Sequence, residues 1–344
     1  MINHSPIGKK TFLNKSIPLL YIVLILAVTI TVIWWQYFEL KAKLAENAGK
    51  VHNATNTGVV MQQVRSSIFP HVNRIRLVDL PTESQNLKSL KNDLEILVKQ
   101  KVELGEIKSA SIYLRRLNNG EWISINGSMG FNPGSLMKIP VLITILKQEE
   151  ANPGFLKKEI LFDKPKAKVP TQTFSKEVIS SGKRYTIESL LYNMIVKSDN
   201  NATYVLSANM DIGIFQKLFT DLQLVAPDKK TAAYLISSTD FTKFLRVLYS
   251  ATYLSEESSE YALNLLSQCE FREGLLKEIP KNITVAHKFG EQANPDSREL
   301  HETGIFYLND NTYVVTIMTT GSKLEVLPGI ISDFSKTIFQ YFNH

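Results

Sequence analysis

The sequence is poor in cysteine and in clustered charge, and each shortage excludes a class of protein. Cys269 is the single cysteine among 344 residues, so the chain can form no internal disulfide. The six histidines show no metal-ligand spacing, which predicts a protein without a metal or other cofactor. No basic stripe with interleaved aromatic residues is present, so nucleic-acid binding is not expected. With 44% hydrophobic and 21% charged residues, the chain can bury a sizeable core and is not disordered.

One long apolar run lies near the N-terminus. Residues 17–36 carry no charge, and about 20 residues at roughly 1.5 Å each span a bilayer. Trp34, Trp35 and Tyr37 lie at its end, where amphipathic rings favour the membrane interface. The alternative is a cleaved signal peptide, but its apolar stretch would be shorter and followed by a small-x-small cleavage site. The run therefore predicts one N-terminal transmembrane helix that anchors the mature protein.

The charges beside this run predict its orientation. Residues 1–16 contain three lysines and no acidic residue, whereas the flank after the run mixes acidic and basic residues: Glu39 and Glu46 with Lys41, Lys43 and Lys50. The positive-inside rule makes residues 1–16 a cytoplasmic basic tail and places the rest outside the cytoplasm. The expected protein crosses the cytoplasmic (inner) membrane once and has an extracytoplasmic, or periplasmic, catalytic domain. Residues 37–81 are polar and end in a Leu80-Pro81 break, which predicts a stalk or linker.

The pattern of residues 82–344 predicts one α+β domain. Thr82 and Gln85 match a capping box, which predicts a helix that begins at Thr82. Strands are predicted at 109–117, 122–126, 284–288, 304–308 and 312–319, and helices at 135–150, 186–197, 200–209, 212–223, 239–253, 256–268 and 326–342. Strands at both ends with helices between them favour an antiparallel sheet of N- and C-terminal strands plus a helical subdomain.

Three short motifs follow one another along this domain. Ser135 and Lys138 form a Ser-x-x-Lys at a predicted helix start, where both side chains share a face and backbone N–H groups point at a developing oxyanion. Residues 198–200, Ser-Asp-Asn, lie between two predicted helices, and residues 288–290, Lys-Phe-Gly, end a predicted strand. Taken singly, each is typical of an ordinary helix start, cap or strand end. A second Ser-x-x-Lys, at residues 180–183, lies in a predicted polar loop.

The order of the three motifs resembles the penicillin-recognising serine enzymes, above all the class A serine β-lactamases, over residues 82–344. The resemblance implies a β-lactamase/transpeptidase-like fold and a serine acyl-enzyme hydrolase that acts on β-lactams or on peptidoglycan-type D-Ala-D-Ala peptides. It implies that Ser135 is the acylated nucleophile and that Lys138 is its base. Ser198 would relay a proton to the leaving nitrogen, and Asn200 would orient Lys138 and a substrate amide.

The same resemblance implies roles for the third motif. Lys288 would supply positive potential for a substrate carboxylate, and Gly290 would let the substrate backbone lie against the strand. The backbone N–H groups of Ser135 and Glu291 would form the oxyanion hole. Asp199 is interpreted as a structural residue, either a cap or a buried acceptor.

Two departures from the family pattern leave the function open. Phe289 stands where the family has Thr or Ser, and its ring offers no hydrogen bond. Residues 225–237 contain no glutamate, whereas class A enzymes carry a Glu-x-x-x-Asn loop there whose Glu activates the deacylating water. The acyl-enzyme is therefore expected to persist. The alternatives are a true class A-like β-lactamase with a substitute water activator and a catalytically inactive envelope binding or scaffold module.

Overall fold

A computed structural model describes residues 39, 71–72, 82–163, 173–176, 178–228, 234–294, 297–308 and 311–343. The chain divides into two units, residues 1–61 and 62–344, and of the first only Glu39 is described. The predicted basic tail, the predicted transmembrane helix and most of the predicted stalk lie outside the described residues. Within the described ranges, no helix has the length and apolar character needed to cross a membrane.

The second unit alternates strands with helices along the chain. The strands are β1 (Ser109–Arg116), β2 (Trp122–Ile125), β3 (Gly130–Phe131), β4 (Glu159–Phe162), β5 (Lys183–Thr186), β6 (Ile236–Ser237), β7 (Val285–Asn294), β8 (Ser297–Phe306) and β9 (Tyr313–Gly321). The helices are α1 (Lys88–Glu103), α2 (Lys138–Ala151), α3 (Ile187–Val196), α4 (Asn200–Asn209), α5 (Ile212–Asp221), α6 (Ser238–Tyr249), α7 (Glu256–Ser267) and α8 (Leu327–Phe342).

A five-stranded antiparallel sheet joins the two ends of this unit. Its order is β2–β1–β9–β8–β7, so the last strand of the chain lies beside the first. In β1 and β9, Ile112 lies opposite Ile317. The predicted α+β arrangement, with N- and C-terminal strands in one antiparallel sheet and helices from the middle of the chain, is confirmed.

The sheet is covered on both faces because its strands alternate between two apolar clusters. In β9, Val314 and Met318 belong to the cluster that includes most of the helical subdomain. Their neighbours Val315 and Ile317 belong to the second cluster, which contains the apolar residues of α1 and α8. A strand that is apolar on both sides is typical of such a central position, and β9 is buried almost throughout.

The first helix begins six residues later than the sequence predicts. It starts at Lys88, and Leu87 precedes it without any side-chain cap, so the predicted capping box of Thr82 and Gln85 is wrong. The residues before the helix are held by β2 instead. The backbone N–H of Ser84 donates to the Trp122 carbonyl at 2.9 Å. The Glu83 carboxylate accepts from the backbone N–H of Ser124 at 3.0 Å. Pairing with a strand edge is incompatible with helical backbone geometry.

The hairpin of β7 and β8 is longer than predicted. The sequence predicts that the first of these strands ends at Lys288. In the structure it continues to Asn294, with Glu291 opposite Leu300 and Ala293 opposite Arg298. The third motif therefore lies in the middle of an edge strand rather than at a strand end. The residues after Gly290 are mostly polar, so the local sequence pattern does not indicate a strand there. Their strand conformation depends on pairing with β8.

Two residues of the predicted stalk contact the domain. Val72 is buried, and the Glu260 carboxylate accepts a hydrogen bond from the backbone N–H of His71 at 2.9 Å. The Tyr307 hydroxyl donates to the His71 carbonyl at 3.3 Å. The boundary at residue 82 stays a prediction, and packing against the domain reaches at least to these two residues.

Candidate active site

Ser135 lies in a short 3₁₀ turn, Gly134–Met137, that leads directly into α2. The Asn132 side chain accepts a hydrogen bond from the Gly134 N–H at 3.1 Å and fixes the entry to this turn. Lys138 follows one turn later, and its backbone N–H donates to the Ser135 carbonyl. A separation of three residues is a spacing at which side chains are neighbours on one face of a helical turn.

The turn is seated against β7 through two glycines. Gly134 has φ +51°, and a Cβ there would lie 2.4 Å from the carbonyl oxygen of Glu291. A Cβ at Gly290 would lie 2.3 Å from the Pro133 oxygen and 2.7 Å from the Leu136 nitrogen. Only residues without a Cβ allow this approach. The backbone segments that carry Ser135 and Glu291 are therefore in close contact, along what is called here the seam between the turn and β7. The N–H groups of these two residues are the ones predicted for an oxyanion hole.

His301 supports the same turn, and the sequence analysis gave it no role. Its Nε2 donates to the Asn132 carbonyl at 3.0 Å, because its Nδ1 already accepts from the Thr319 N–H at 3.2 Å. The Glu299 carboxylate accepts from the Asn132 N–H at 3.1 Å. Two side chains of β8 therefore hold Asn132, three positions before Ser135, by its N–H and by its carbonyl. No sequence signal marks this, because the partners lie more than 160 residues apart.

The Lys138 amine lies at the centre of the site. Its Nζ donates to the Ser198 carbonyl at 2.6 Å, to Ser198 Oγ at 2.9 Å and to Asn200 Oδ1 at 2.8 Å. Lys138 is buried, and burial lowers its pKa well below the ordinary value. The positive charge of Lys288 lowers that pKa further, while the Asp199 carboxylate opposes both effects. A lysine in this state is suited to accept a proton near neutral pH.

Ser198 bridges the two lysines. Its Oγ lies 2.9 Å from the Lys138 Nζ and 2.9 Å from the Lys288 Nζ, and the residue is completely buried. Its φ is +58°, a left-handed conformation that costs a non-glycine residue about 1–3 kcal/mol. Two lone pairs of a hydroxyl can accept from two lysines, and its own proton can then be donated to a third group.

Asp199 has the structural role predicted for it. One carboxylate oxygen caps α4 by accepting from the N–H groups of Asn201 and Ala202 at 2.7 and 3.2 Å. The other accepts from those of Val178 and Ile179 at 2.7 and 2.9 Å. The carboxylate is thus fully used by the backbone, and this explains how the Ser198 loop is held in place.

Lys288 approaches Ser198 from β7. It is fully buried, and burial lowers its pKa, against the influence of Cys269, Glu302 and Glu291. Its Nζ also lies 3.9 Å from the centroid of the Phe289 ring, a cation–π contact. The Phe289 ring itself packs on Phe271 at a centroid distance of 4.5 Å.

The Glu291 side chain makes a contact that the sequence analysis missed. Only its backbone N–H is predicted to act, but its buried carboxylate accepts from the N–H groups of Thr173 and, at 3.0 Å, Phe174. The Phe174 ring then lies 5.2 Å from that of Phe271 and 6.4 Å from that of Phe289. The partners are 117 and 118 residues apart, so no local pattern could have revealed them.

The second Ser-x-x-Lys shows none of these features. Ser180 and Lys183 are exposed, and Gly182 between them has φ +80°. The segment turns into β5 and starts no helix. Among the described residues, no group of three or more His, Cys, Asp or Glu side chains is placed to hold a metal ion.

A model of the beta-lactamase enzyme family matches residues 90–342. Among solved structures, a mutant of PBP-A in an acyl-enzyme complex with penicillin G superimposes with a TM-score of 0.63 at 20% identity, covering 77% of this chain and 99% of that one. A β-lactamase from Chitinophaga pinensis gives 0.64 at 16% identity, with 74% and 100% covered. The TLA-1 extended-spectrum β-lactamase gives 0.63 at 15% identity, with 76% and 100% covered.

Curated protein sequences give no match to the chain. The solved structures share the fold, and the family model spans most of the residues that the structure describes. The predicted β-lactamase/transpeptidase-like fold is thereby confirmed. The chain therefore belongs to the beta-lactamase enzyme family of serine hydrolases.

Proposed function

We propose that this chain is a membrane-anchored serine acyl-enzyme hydrolase that is acylated on Ser135 by β-lactams or by cell-wall D-Ala-D-Ala-type amides. One observation carries the proposal: the amine of Lys138, a residue one turn after Ser135, and the amine of Lys288 meet on the buried hydroxyl of Ser198. Burying two lysines on one hydroxyl is costly to the fold, and such arrangements cluster at functional sites.

Four side chains take part in the proposed acylation. Lys138, with its lowered pKa, takes the proton of Ser135 as the hydroxyl oxygen attacks the substrate carbonyl. The backbone N–H groups of Ser135 and Glu291 stabilise the developing oxyanion. Ser198 passes its hydroxyl proton to the leaving nitrogen and regains one from the Lys138 amine, which donates to it at 2.9 Å. Asn200 keeps that amine in place through its side-chain oxygen.

Deacylation is proposed to be slow. Hydrolytic release needs a base within about 2.6–3.2 Å of a water that attacks the acyl carbonyl. Residues 225–237, which occupy the chain segment between α5 and α6, contain no glutamate. A PBP-A mutant of the same fold forms an acyl-enzyme complex with penicillin G. This complex supports the proposal that an acyl-enzyme accumulates in the present chain.

The localisation belongs to the same proposal. The uncharged residues 17–36, preceded by three lysines, anchor the chain in the cytoplasmic membrane with the catalytic domain outside. Protease added to intact spheroplasts is expected to remove the domain. Cleavage that appears only after lysis would contradict this orientation.

Intact-mass spectrometry of the full-length chain with penicillin G tests the chemistry. We expect one covalent adduct per chain, which the Ser135→Ala variant loses and the matched Ser180→Ala variant keeps. Stopped-flow hydrolysis should show a burst near one equivalent followed by slow turnover. Fast linear turnover without a burst would select the alternative, a class A-like β-lactamase with a substitute water activator. No adduct under any condition would select the inactive binding module.

A further inference from the structure

The segment that leads into the Ser135 turn depends on Asn132. The turn begins at Gly134, and Pro133 before it provides no side-chain cap. Asn132 Oδ1 supplies the missing acceptor, because the Gly134 N–H donates to it at 3.1 Å. The position of Asn132 therefore sets the geometry with which the turn of the nucleophile begins.

Strand β8 fixes Asn132 through two side chains. His301 Nε2 donates to the Asn132 carbonyl at 3.0 Å, and the Glu299 carboxylate accepts from the Asn132 N–H at 3.1 Å. The same Glu299 oxygen lies 3.3 Å from His301 Nε2. Asn132 thus has a partner at its N–H, at its carbonyl and at its side-chain oxygen. Asn132, Glu299 and His301 together form what we call the Asn132 latch.

The latch reaches across β7 because Gly290 has no side chain. Gly290 lies opposite His301 in the ladder of β7 and β8, so a side chain there would share a face with the imidazole. A Cβ at Gly290 would lie 2.3 Å from the oxygen of Pro133, the residue after Asn132. The space over Gly290 is the route by which a β8 side chain meets the segment before Ser135.

The two nitrogens of His301 have different tasks. Nδ1 accepts from the Thr319 N–H at 3.2 Å, so the proton of the neutral imidazole is on Nε2, where it can be donated to Asn132. The ring is buried and packs edge-on against Phe131 at a centroid distance of 5.4 Å. A histidine with a purely structural role in the core would need only the Thr319 bond and this packing. The bond from Nε2 to Asn132 is therefore the one to test by itself.

We propose that Glu299 and His301 are positioning residues for acylation, which hold the Ser135 oxygen in line with the substrate carbonyl by fixing Asn132. This inference rests on the proposed acylation of Ser135 and adds two residues that act through the turn and not on the substrate. A misplacement of about 1 Å can lower a rate about a hundredfold, so loss of the latch slows the bond-forming step. Because the latch acts on the nucleophile, the substrate concentration needed for half-saturation changes little.

Two amide side chains, each of which imitates one ring nitrogen, separate the latch from the fold. In His301→Gln the amide nitrogen stands near the Nε2 position and can donate to Asn132, but the acceptor for Thr319 is lost. In His301→Asn the amide oxygen stands near Nδ1 and can accept from Thr319, but the donor to Asn132 is lost. Both variants lose the imidazole packing on Phe131, so that loss is shared.

Intact-mass time courses of the full-length chain in detergent, at several penicillin G concentrations, give the limiting acylation rate and the half-saturating concentration. The amplitude gives the competent fraction, so partial unfolding does not alter the rate itself. We expect His301→Asn and Glu299→Ala to lower the limiting rate at least tenfold, with half-saturation within threefold of native. His301→Gln should stay within threefold in both. Glu299 is only partly buried, so Glu299→Ala keeps the test decisive where a His301 variant fails to fold.

Thr319→Val is the matched control. The Thr319 hydroxyl donates to the Leu300 carbonyl at 2.6 Å between β8 and β9, and the variant retains the backbone N–H that donates to His301. It should lose stability and keep the native acylation rate. Equal rates for His301→Gln and His301→Asn, a native rate in Glu299→Ala, or a tenfold loss in Thr319→Val would each overturn the inference. Failure of the native chain to form a Ser135 adduct would instead contradict the proposed acyl-enzyme function.

Discussion

Replacing Gly290 by alanine should disable the site through a steric effect alone. The added Cβ would lie 2.3 Å from the Pro133 oxygen and 2.7 Å from the Leu136 nitrogen. Both neighbours are backbone atoms of the segment that carries Ser135, so neither can rotate away. Restoring ordinary contact distances of roughly 3.4 Å requires the turn and β7 to separate by about 1 Å.

The magnitude follows from this displacement. Overpacking of this kind typically costs about 1–3 kcal/mol of unfolding free energy. A misplacement of about 1 Å of catalytic groups can lower a reaction rate by about 10². We therefore expect Gly290→Ala to remain folded at room temperature and to be acylated about a hundredfold more slowly.

Gly329→Ala is the matched control. Gly329 lies in α8, and a Cβ there would meet nothing within 4 Å. This variant should keep the native acylation rate and gain up to about 1 kcal/mol of stability. Rates come from the time course of the acyl adduct in intact-mass spectra, and stability from chemical denaturation. Acylation of Gly290→Ala within twofold of the native rate would refute the argument that backbone contact at this seam positions the nucleophile.

Three further variants test the electrostatics and the scaffold. Lys138→Ala should slow acylation by about 10² to 10⁴, the range for losing a general base, and a smaller effect would point to another base. Lys288→Met should move the acid limb of the acylation rate to higher pH. Burial of Lys138 and the positive charge of Lys288 both lower the Lys138 pKa, and removing that charge raises it, so a shift to lower pH would contradict this reasoning. Asp199→Ala should lower the unfolding free energy by about 2–4 kcal/mol, because four backbone N–H groups lose their acceptor. The control Asp211→Ala removes an exposed cap that serves two N–H groups and should cost about 1 kcal/mol; equal losses would exclude the scaffold role of Asp199.

Helices with strong periodicity and clear caps could be predicted from the sequence. The structure has α4 at Asn200–Asn209, the range that the sequence predicts, and Asp199 caps it. Such signals are local, because a cap and an apolar stripe act within a few turns. The predictions for α1 and β7 were wrong at their ends. There the deciding hydrogen bonds come from β2 and β8, and a local pattern does not contain them.

The candidate site divides in the same way. The sequence by itself determined which groups are available: a serine and a lysine one turn apart, a Ser-Asp-Asn loop, and a Lys-Phe-Gly strand in that order. Only the tertiary structure decided how they act on one another. It joins Lys138 and Lys288 to Ser198 across 60 and 90 residues, and burial at that meeting point lowers the pKa of both lysines. It also turns the Glu291 carboxylate towards Phe174 and the Phe289 ring towards the Lys288 ammonium. Desolvation and charge proximity depend on distances in space, which chain order does not specify.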